Sequence, residues 1–189
     1  MEPKVETNEI RPMRYRGLFY WMQSMVMMFL PVLFLATFIG TPLAVAGGSM
    51  SPTLHDGEYM IVRSVFYSPE RGDMIVFARD DFLDGRALVK RVIAVAGDLV
   101  HINTETNTVY VNGIALDEPY ISEPTSQAGD MNYPHMVPWG YVFVLGDNRS
   151  PNGSLDSRSA SLGLVDEREI IGQVVAVVLP LGRARLFLG

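Results

Sequence analysis

The sequence predicts a mostly β fold behind a single N-terminal membrane-spanning helix, and three observations predict it. From Leu18 to Leu54 no residue carries a formal charge. Beyond Gly47, short apolar runs rich in Val, Ile, Tyr and Phe are separated by turn signals such as Gly97-Asp98, Asn112-Gly113 and Gly146-Asp147-Asn148. No strand–helix alternation, the mark of a parallel sheet, runs through the chain. The expected organisation is a tail over 1–17, an anchor over 18–39 and an antiparallel β ectodomain over 40–189.

The anchor comes first. Leu18 to Ile39 reads LFYWMQSMVMMFLPVLFLATFI, with only Gln23, Ser24 and Thr37 as polar interruptions. At about 1.5 Å per residue it spans roughly 33 Å, the thickness of a bilayer core of about 30 Å. Tyr20 and Trp21 stand where an interfacial aromatic belt belongs, and Pro31 kinks such a helix without forbidding it. A buried core helix and a cleavable signal ending at Ala44-Val45-Ala46 are the alternatives. Its length favours a retained anchor, because a signal's apolar region runs to only about 7–15 residues. Lys4, Arg11, Arg14 and Arg16 precede it and the next basic residue is Arg63, so the tail is expected in the cytoplasm and the rest outside.

Strands are expected at Tyr59–Val62, Met74–Phe77, Leu88–Ala96, Thr108–Val111, Tyr141–Leu145, Val174–Leu179 and Leu186–Leu188. Asn112-Gly113 between two alternating runs is a two-residue hairpin signal. Pro119 to Pro138, with four prolines, reads as a long surface loop.

Composition removes whole classes of chemistry. With no cysteine, thiol catalysis, disulfides and thiolate metal sites are excluded. His55, His101 and His135 have no metal-site spacing, so neither a metal nor a cofactor is expected. A net charge of −6 argues against nucleic acid as a partner.

Lys90, one of only two lysines, lies in Ala87-Leu88-Val89-Lys90-Arg91-Val92-Ile93. As a strand, this segment puts Lys90 on a face with Leu88, Val92 and Ala94, and Arg91 on the other with Val89, Ile93 and Val95. One of the two cations must then occupy an apolar face. Arginine keeps its charge almost anywhere, whereas a desolvated lysine loses its proton and becomes a usable general base. An ordinary lysine is neutral in only about one molecule in 2,500 at pH 7. The plain structural alternative is an edge-strand lysine snorkelling to water.

Ser49 supplies a nucleophile for such a base. It lies in Gly47-Gly48-Ser49-Met50-Ser51-Pro52-Thr53-Leu54, where two glycines permit close backbone approach to a substrate carbonyl. The stretch is not a G-x-S-x-G elbow, and none of the three histidines has a catalytic-looking context. A Ser/Lys pair is the simpler reading.

Four ordered segments then resemble the type I signal peptidases. Ser49-Met50-Ser51-Pro52-Thr53-Leu54 is similar to that family's S-M-x-P-T-L box, and Arg71-Gly72-Asp73-Met74-Ile75-Val76-Phe77 to its R-G-D-I-V-V-F strand. Val89-Lys90-Arg91-Val92-Ile93 with Gly97-Asp98 resembles its lysine box. Gly146-Asp147-Asn148-Arg149 followed by Ser154-Leu155-Asp156-Ser157-Arg158 resembles its closing box. The match runs from about Gly47 to Val178.

The resemblance implies a two-lobed β ectodomain on a single-pass anchor in the plasma membrane. The implied activity is that of a serine endopeptidase removing signal peptides from exported preproteins after a small-x-small motif. Ser49 would attack and Lys90 would act as base. Ser154 would orient the amine, Asp156 and Arg158 would form a bracing ion pair, and Asp147 and Arg149 would be scaffold. Met50, Leu88 and Val89, with Val45, Ala46 and Leu54, are candidates for the walls of a pocket for small side chains. Met136, Val137, Pro138 and Trp139 are candidates for an apolar patch that dips into lipid.

Two departures from the family pattern stand out. Gly47 occupies a position often held by Ser or Thr, whose hydroxyl helps the oxyanion hole, and Ser150-Pro151-Asn152-Gly153 fills a place where two residues are usual. Rival functions are a narrow-substrate pilus or conjugation maturation peptidase, a self-cleaving regulator, and a non-catalytic membrane-anchored β binding module. The sequence leaves the oligomeric state open.

Overall fold

The computed structural model describes residues 15–80 and 82–187. It separates into two units, 1–38 and 39–189. Of the first, the structure gives one helix, α1, Arg16–Ile39, with Pro31 inside it. Among the described residues no helix is long and apolar enough to cross a membrane. The side chains of 34–39, which complete the apolar run, lie outside the described residues, as do positions 1–14 of the expected tail.

The second unit is antiparallel β throughout. Its strands are β1 Thr41–Ala44, β2 Tyr59–Arg63, β3 Met74–Phe77, β4 Leu88–Ala94, β5 Leu99–Asn103 and β6 Thr108–Val111. They continue with β7 Ile114–Ala115, β8 His135–Met136, β9 Tyr141–Leu145, β10 Val165–Asp166, β11 Ile170–Leu179 and β12 Arg185–Leu186. One sheet runs β1-β2-β11-β3-β4-β9-β10, with β12 beside β11, and a smaller one runs β7-β6-β5-β8. These two sheets correspond to the two expected lobes.

Apolar residues on both sides of the large sheet explain its continuous hydrophobic strands. In β3, Met74 and Val76 face a core with Met50, Leu54, Met60 and Val174, whereas Ile75 and Phe77 face another with Val92, Val144 and Leu162. In β9, Val142 and Val144 join that second core. Phe143 and Leu145 meet Val100, Ile102, Val109 and Val111 of the small sheet. Burial at four consecutive positions of β3 is the result.

The strands 74–77, 108–111 and 141–145 lie where the sequence put them, and Asn112-Gly113 makes the expected hairpin between β6 and β7. Other boundaries differ. β4 stops at Ala94 and β11 starts at Ile170, where Gly172 lets the strand pass so close to the Arg63 carbonyl that a Cβ would collide with it. Residues 99–103 form a strand not anticipated, although Val100 and Ile102 alternate inward. β1 was hidden by Pro42, which is tolerated because β1 pairs only with β2 and leaves its other edge free. The 119–138 loop contributes the short β8, and Leu188 of the expected last strand lies outside the described residues. Met136 and Trp139 are exposed, but Val137 is buried in the small-lobe core and is no part of that patch.

Candidate active site

Ser49 sits in a tight turn whose base is apolar. Met50 and Leu54 are buried in the core beside β2 and β3, and the Leu54 N–H donates to the Met50 carbonyl at 2.8 Å. The chain enters with the Gly47 N–H donating to Asp56 Oδ1 at 2.7 Å. It leaves through buried Glu58, which accepts from Arg185 Nη2 at 2.8 Å; Arg185 also donates to the Thr53 carbonyl. Core packing and a cross-sheet ion pair thus hold a loop that its own glycines would leave free.

Lys90 reaches this turn from β4. It is 2% exposed, and its Nζ lies 2.7 Å from Ser49 Oγ and 3.0 Å from the Val89 carbonyl oxygen. Arg91, next along the strand, is buried as well. The sequence required one cation on an apolar face; the structure buries both, because both faces of β4 are covered at these positions. Their partners differ. Arg91 makes two bonds to Asp147 at 2.8 and 2.6 Å, donates to the Gly72 carbonyl at 2.7 Å and stacks on the Tyr120 ring. Among the described residues no carboxylate lies within ion-pair distance of Lys90. Burial therefore pushes the Lys90 amine down from 10.5 to about 8, against the opposing pull of the Asp156 and Asp147 charges. At pH 7 such an amine is neutral in about one molecule in ten.

The closing box packs directly on the pair. A Cβ on Gly146 would collide with the Ser49 carbonyl and with Ser154 Oγ, so only glycine lets the two segments meet. Asp156 forms the expected ion pair with Arg158, at 2.8 and 2.9 Å, and also accepts from the Gly146 N–H at 3.0 Å. Arg149, fully buried, bonds Glu118, Thr125 Oγ1 and the Gly146 carbonyl. Ser154 differs from expectation: its Oγ is buried without a hydrogen-bond partner, and the expected bond to the lysine amine is not formed. Both Lys90 contacts go instead to Ser49 and Val89. Asn148, which sequence reading passed over, bonds both the Gly48 and Ser49 carbonyls.

A cavity of about 80 Å³ opens beside Ser49, lined among others by Leu43, Ala46, Met50, Met60, Leu88 and Val89. Met50, Leu88 and Val89 are thus gathered at one wall with the serine, whereas Leu54 lies in the core behind it. Two free strand edges border the space. β1 pairs only with β2, and over residues 88–90 β4 pairs only with β3. Ala44-Val45-Ala46 is part of the wall, with both backbone groups of Val45 bonded, to Glu58 and Gly57.

The family model described as "Signal peptidase, peptidase S26" matches residues 18–179. This chain belongs to the type I signal peptidases. A signal peptidase I from Bacillus licheniformis is 36% identical over 95% of this chain and 98% of its own length. Signal peptidase IB from Staphylococcus aureus (strain Mu50 / ATCC 700699) is 36% identical over 84% of this chain and 88% of its own. A crystal structure of a signal peptidase I from Enterococcus faecalis is 30% identical, covers 57% of this chain and 97% of its own, and superposes with a TM-score of 0.46. Membership of this peptidase family makes the chain a serine endopeptidase, and signal-peptide cleavage is the family's activity.

Proposed function

We propose that this peptidase uses Ser49 as nucleophile and Lys90 as general base to cut signal peptides from exported preproteins after a small-x-small motif. The observation that carries the reading is the 2.7 Å contact between Ser49 Oγ and a buried lysine with no carboxylate partner among the described residues. Neutral Lys90 takes the hydroxyl proton as Oγ bonds to the scissile carbonyl carbon and its oxygen becomes an oxyanion. The tetrahedral species collapses, the C–N bond breaks, and Lys90 returns the proton to the leaving amine. Water, deprotonated by the same amine, then hydrolyses the acyl-enzyme. Ser154 Oγ, without a partner beside this pair, supports a role in orienting the amine once substrate is bound. Asp156 and Arg158 brace the wall. The Ser49 N–H, which donates to no acceptor among the described residues, is the oxyanion donor that remains where Gly47 offers no hydroxyl.

The substrate lies extended between the free edges of β1 and β4, with its small side chains in the cavity lined by Met50, Leu88 and Val89. The small size of that cavity and its largely apolar lining support a preference for small side chains. Peptides with Ala at both recognition positions are expected to be cleaved, and those with Phe at the position nearest the cut to lose about 100-fold or more in kcat/KM. Equal cleavage of both would sink the assignment of the cavity. The uncharged stretch from Leu18 and the basic tail support a single-pass anchor over 18–39 in the plasma membrane, N-terminus inside and 40–189 outside.

The pH profile tests the base. With Lys90 near 8, kcat/KM is expected to rise with pH along one ionisation and level off above about pH 9. The sign follows from the neutral form being active: below the midpoint protonation removes the base. An acid limb near 6.5 that moves when a histidine is replaced would overturn the role of Lys90.

A further inference from the structure

Asn148 stands outside the chemistry yet touches the nucleophile turn twice. Its backbone N–H donates to the Ser49 carbonyl at 3.0 Å, and its side-chain amide nitrogen donates to the Gly48 carbonyl at 3.1 Å. Those carbonyls belong to the two peptide units flanking the Ser49 Cα. Both units are trans, so in each the C=O and N–H point in opposite directions across one plane. Holding the Gly48 carbonyl therefore fixes the direction of the Ser49 N–H. Within the turn the Gly48 carbonyl also accepts from the Ser51 N–H at 3.1 Å, and the Asn148 amide adds a hold from outside the turn, where Gly47 has φ +85° and open space surrounds both Gly47 and Gly48.

The Asn148 amide is itself aimed. Its Oδ1 accepts from both the backbone N–H and the hydroxyl of Ser150, which leaves the NH₂ group facing Gly48. The Gly153 N–H closes the turn onto the Ser150 carbonyl at 2.9 Å. A Cβ on Gly153 would collide with Asn148 Oδ1 and Ser150 Oγ. The four residues by which the closing box departs from the usual two thus build the bracket that orients this amide.

We propose that Asn148 is a positioning residue for the oxyanion hole. Held by the Ser150–Gly153 turn, its amide locks the Gly48–Ser49 peptide so that the Ser49 N–H stays directed at the oxygen of the carbonyl under attack. The inference rests on the reading of Ser49 and Lys90 as the reacting pair. Because the oxyanion exists only after attack, the hold acts on the transition state and not on substrate binding.

The test is steady-state kinetics of the full chain in detergent on a fluorogenic small-x-small peptide. Loss of one direct oxyanion donor costs about 10²–10³ in kcat, so a misdirected donor in Asn148→Ala is expected to cost about 10–100-fold. KM should stay within about twofold and the acid limb should keep its midpoint, since Lys90 is untouched. Asn148→Asp, which places an acceptor against the Gly48 carbonyl, should lose at least as much. Ser150→Ala, which removes the hydroxyl's bond to Asn148 Oδ1, keeps the weaker N–H bond and does not touch the nucleophile turn, should lose about 3–10-fold in kcat. An unchanged kcat, or a loss carried by KM or by a shifted acid limb, overturns the proposal. If Asn148→Ala does not fold, Ser150→Ala decides, and wild-type kcat there is the overturning result. Ser49→Ala run in parallel separates the two readings, because residual cleavage in that variant sinks the Ser/Lys pair whatever Asn148 does.

Discussion

Ser49→Ala and Lys90→Ala are each expected to lower kcat by roughly 10⁴-fold, to the limit of detection, and the double variant to lose no more. The two side chains share one proton at 2.7 Å, so removing either ends the same step and the effects do not add. Lys90→Arg separates charge from basicity. A guanidinium keeps its proton at any working pH, so this variant should be as inactive as alanine although it preserves a cation on β4. Single-turnover cleavage of a signal-peptide substrate, followed by mass spectrometry, measures all four proteins. Substantial activity in Lys90→Ala would remove the lysine from the mechanism. Loss of all activity in Lys90→Ala with full activity in Lys90→Arg would leave it a purely electrostatic role.

Asp147→Ala is expected to be the most damaging change outside the reacting pair. Asp147 is fully buried and accepts two bonds from Arg91, whose other partners among the described residues are the Gly72 carbonyl and the Tyr120 ring. Removing one partner of a buried pair leaves the other's charge uncompensated and costs about 3–5 kcal/mol. For a chain of this size that lowers Tm by roughly 6–20 °C, readable by thermal unfolding at neutral pH. A second readout follows from the charges around Lys90. Asp147 opposes the effect of burial on that amine, so its removal, with Arg91 left unbalanced on the same strand, should move the acid limb of kcat/KM to lower pH. A shift to higher pH, or a Tm within 2 °C of wild type, would contradict this account of the strand.

Much was legible in the sequence because it is local. Short apolar runs and turn residues placed β3, β6 and β9, and the order of four short motifs pointed to Ser49, Lys90 and the closing box. Strand parity also exposed the problem of two adjacent cations at 90 and 91. It could go no further, since parity states which residues share a face and not what covers that face. The tertiary structure covered both faces. It then separated the cations through a carboxylate 56 residues away in sequence, giving Asp147 to Arg91 and, among the described residues, none to Lys90. The same reason explains the other differences. β1 was unreadable because its pairing with β2 spans the loop that carries Ser49, and Asn148 because its partners in that loop lie about 100 residues earlier. Composition and short-range pattern determined which groups this chain has for cleaving a peptide. Long-range pairing, spread over many individually weak contacts, decided which of the two adjacent cations has a carboxylate partner and what holds Ser49 beside the other.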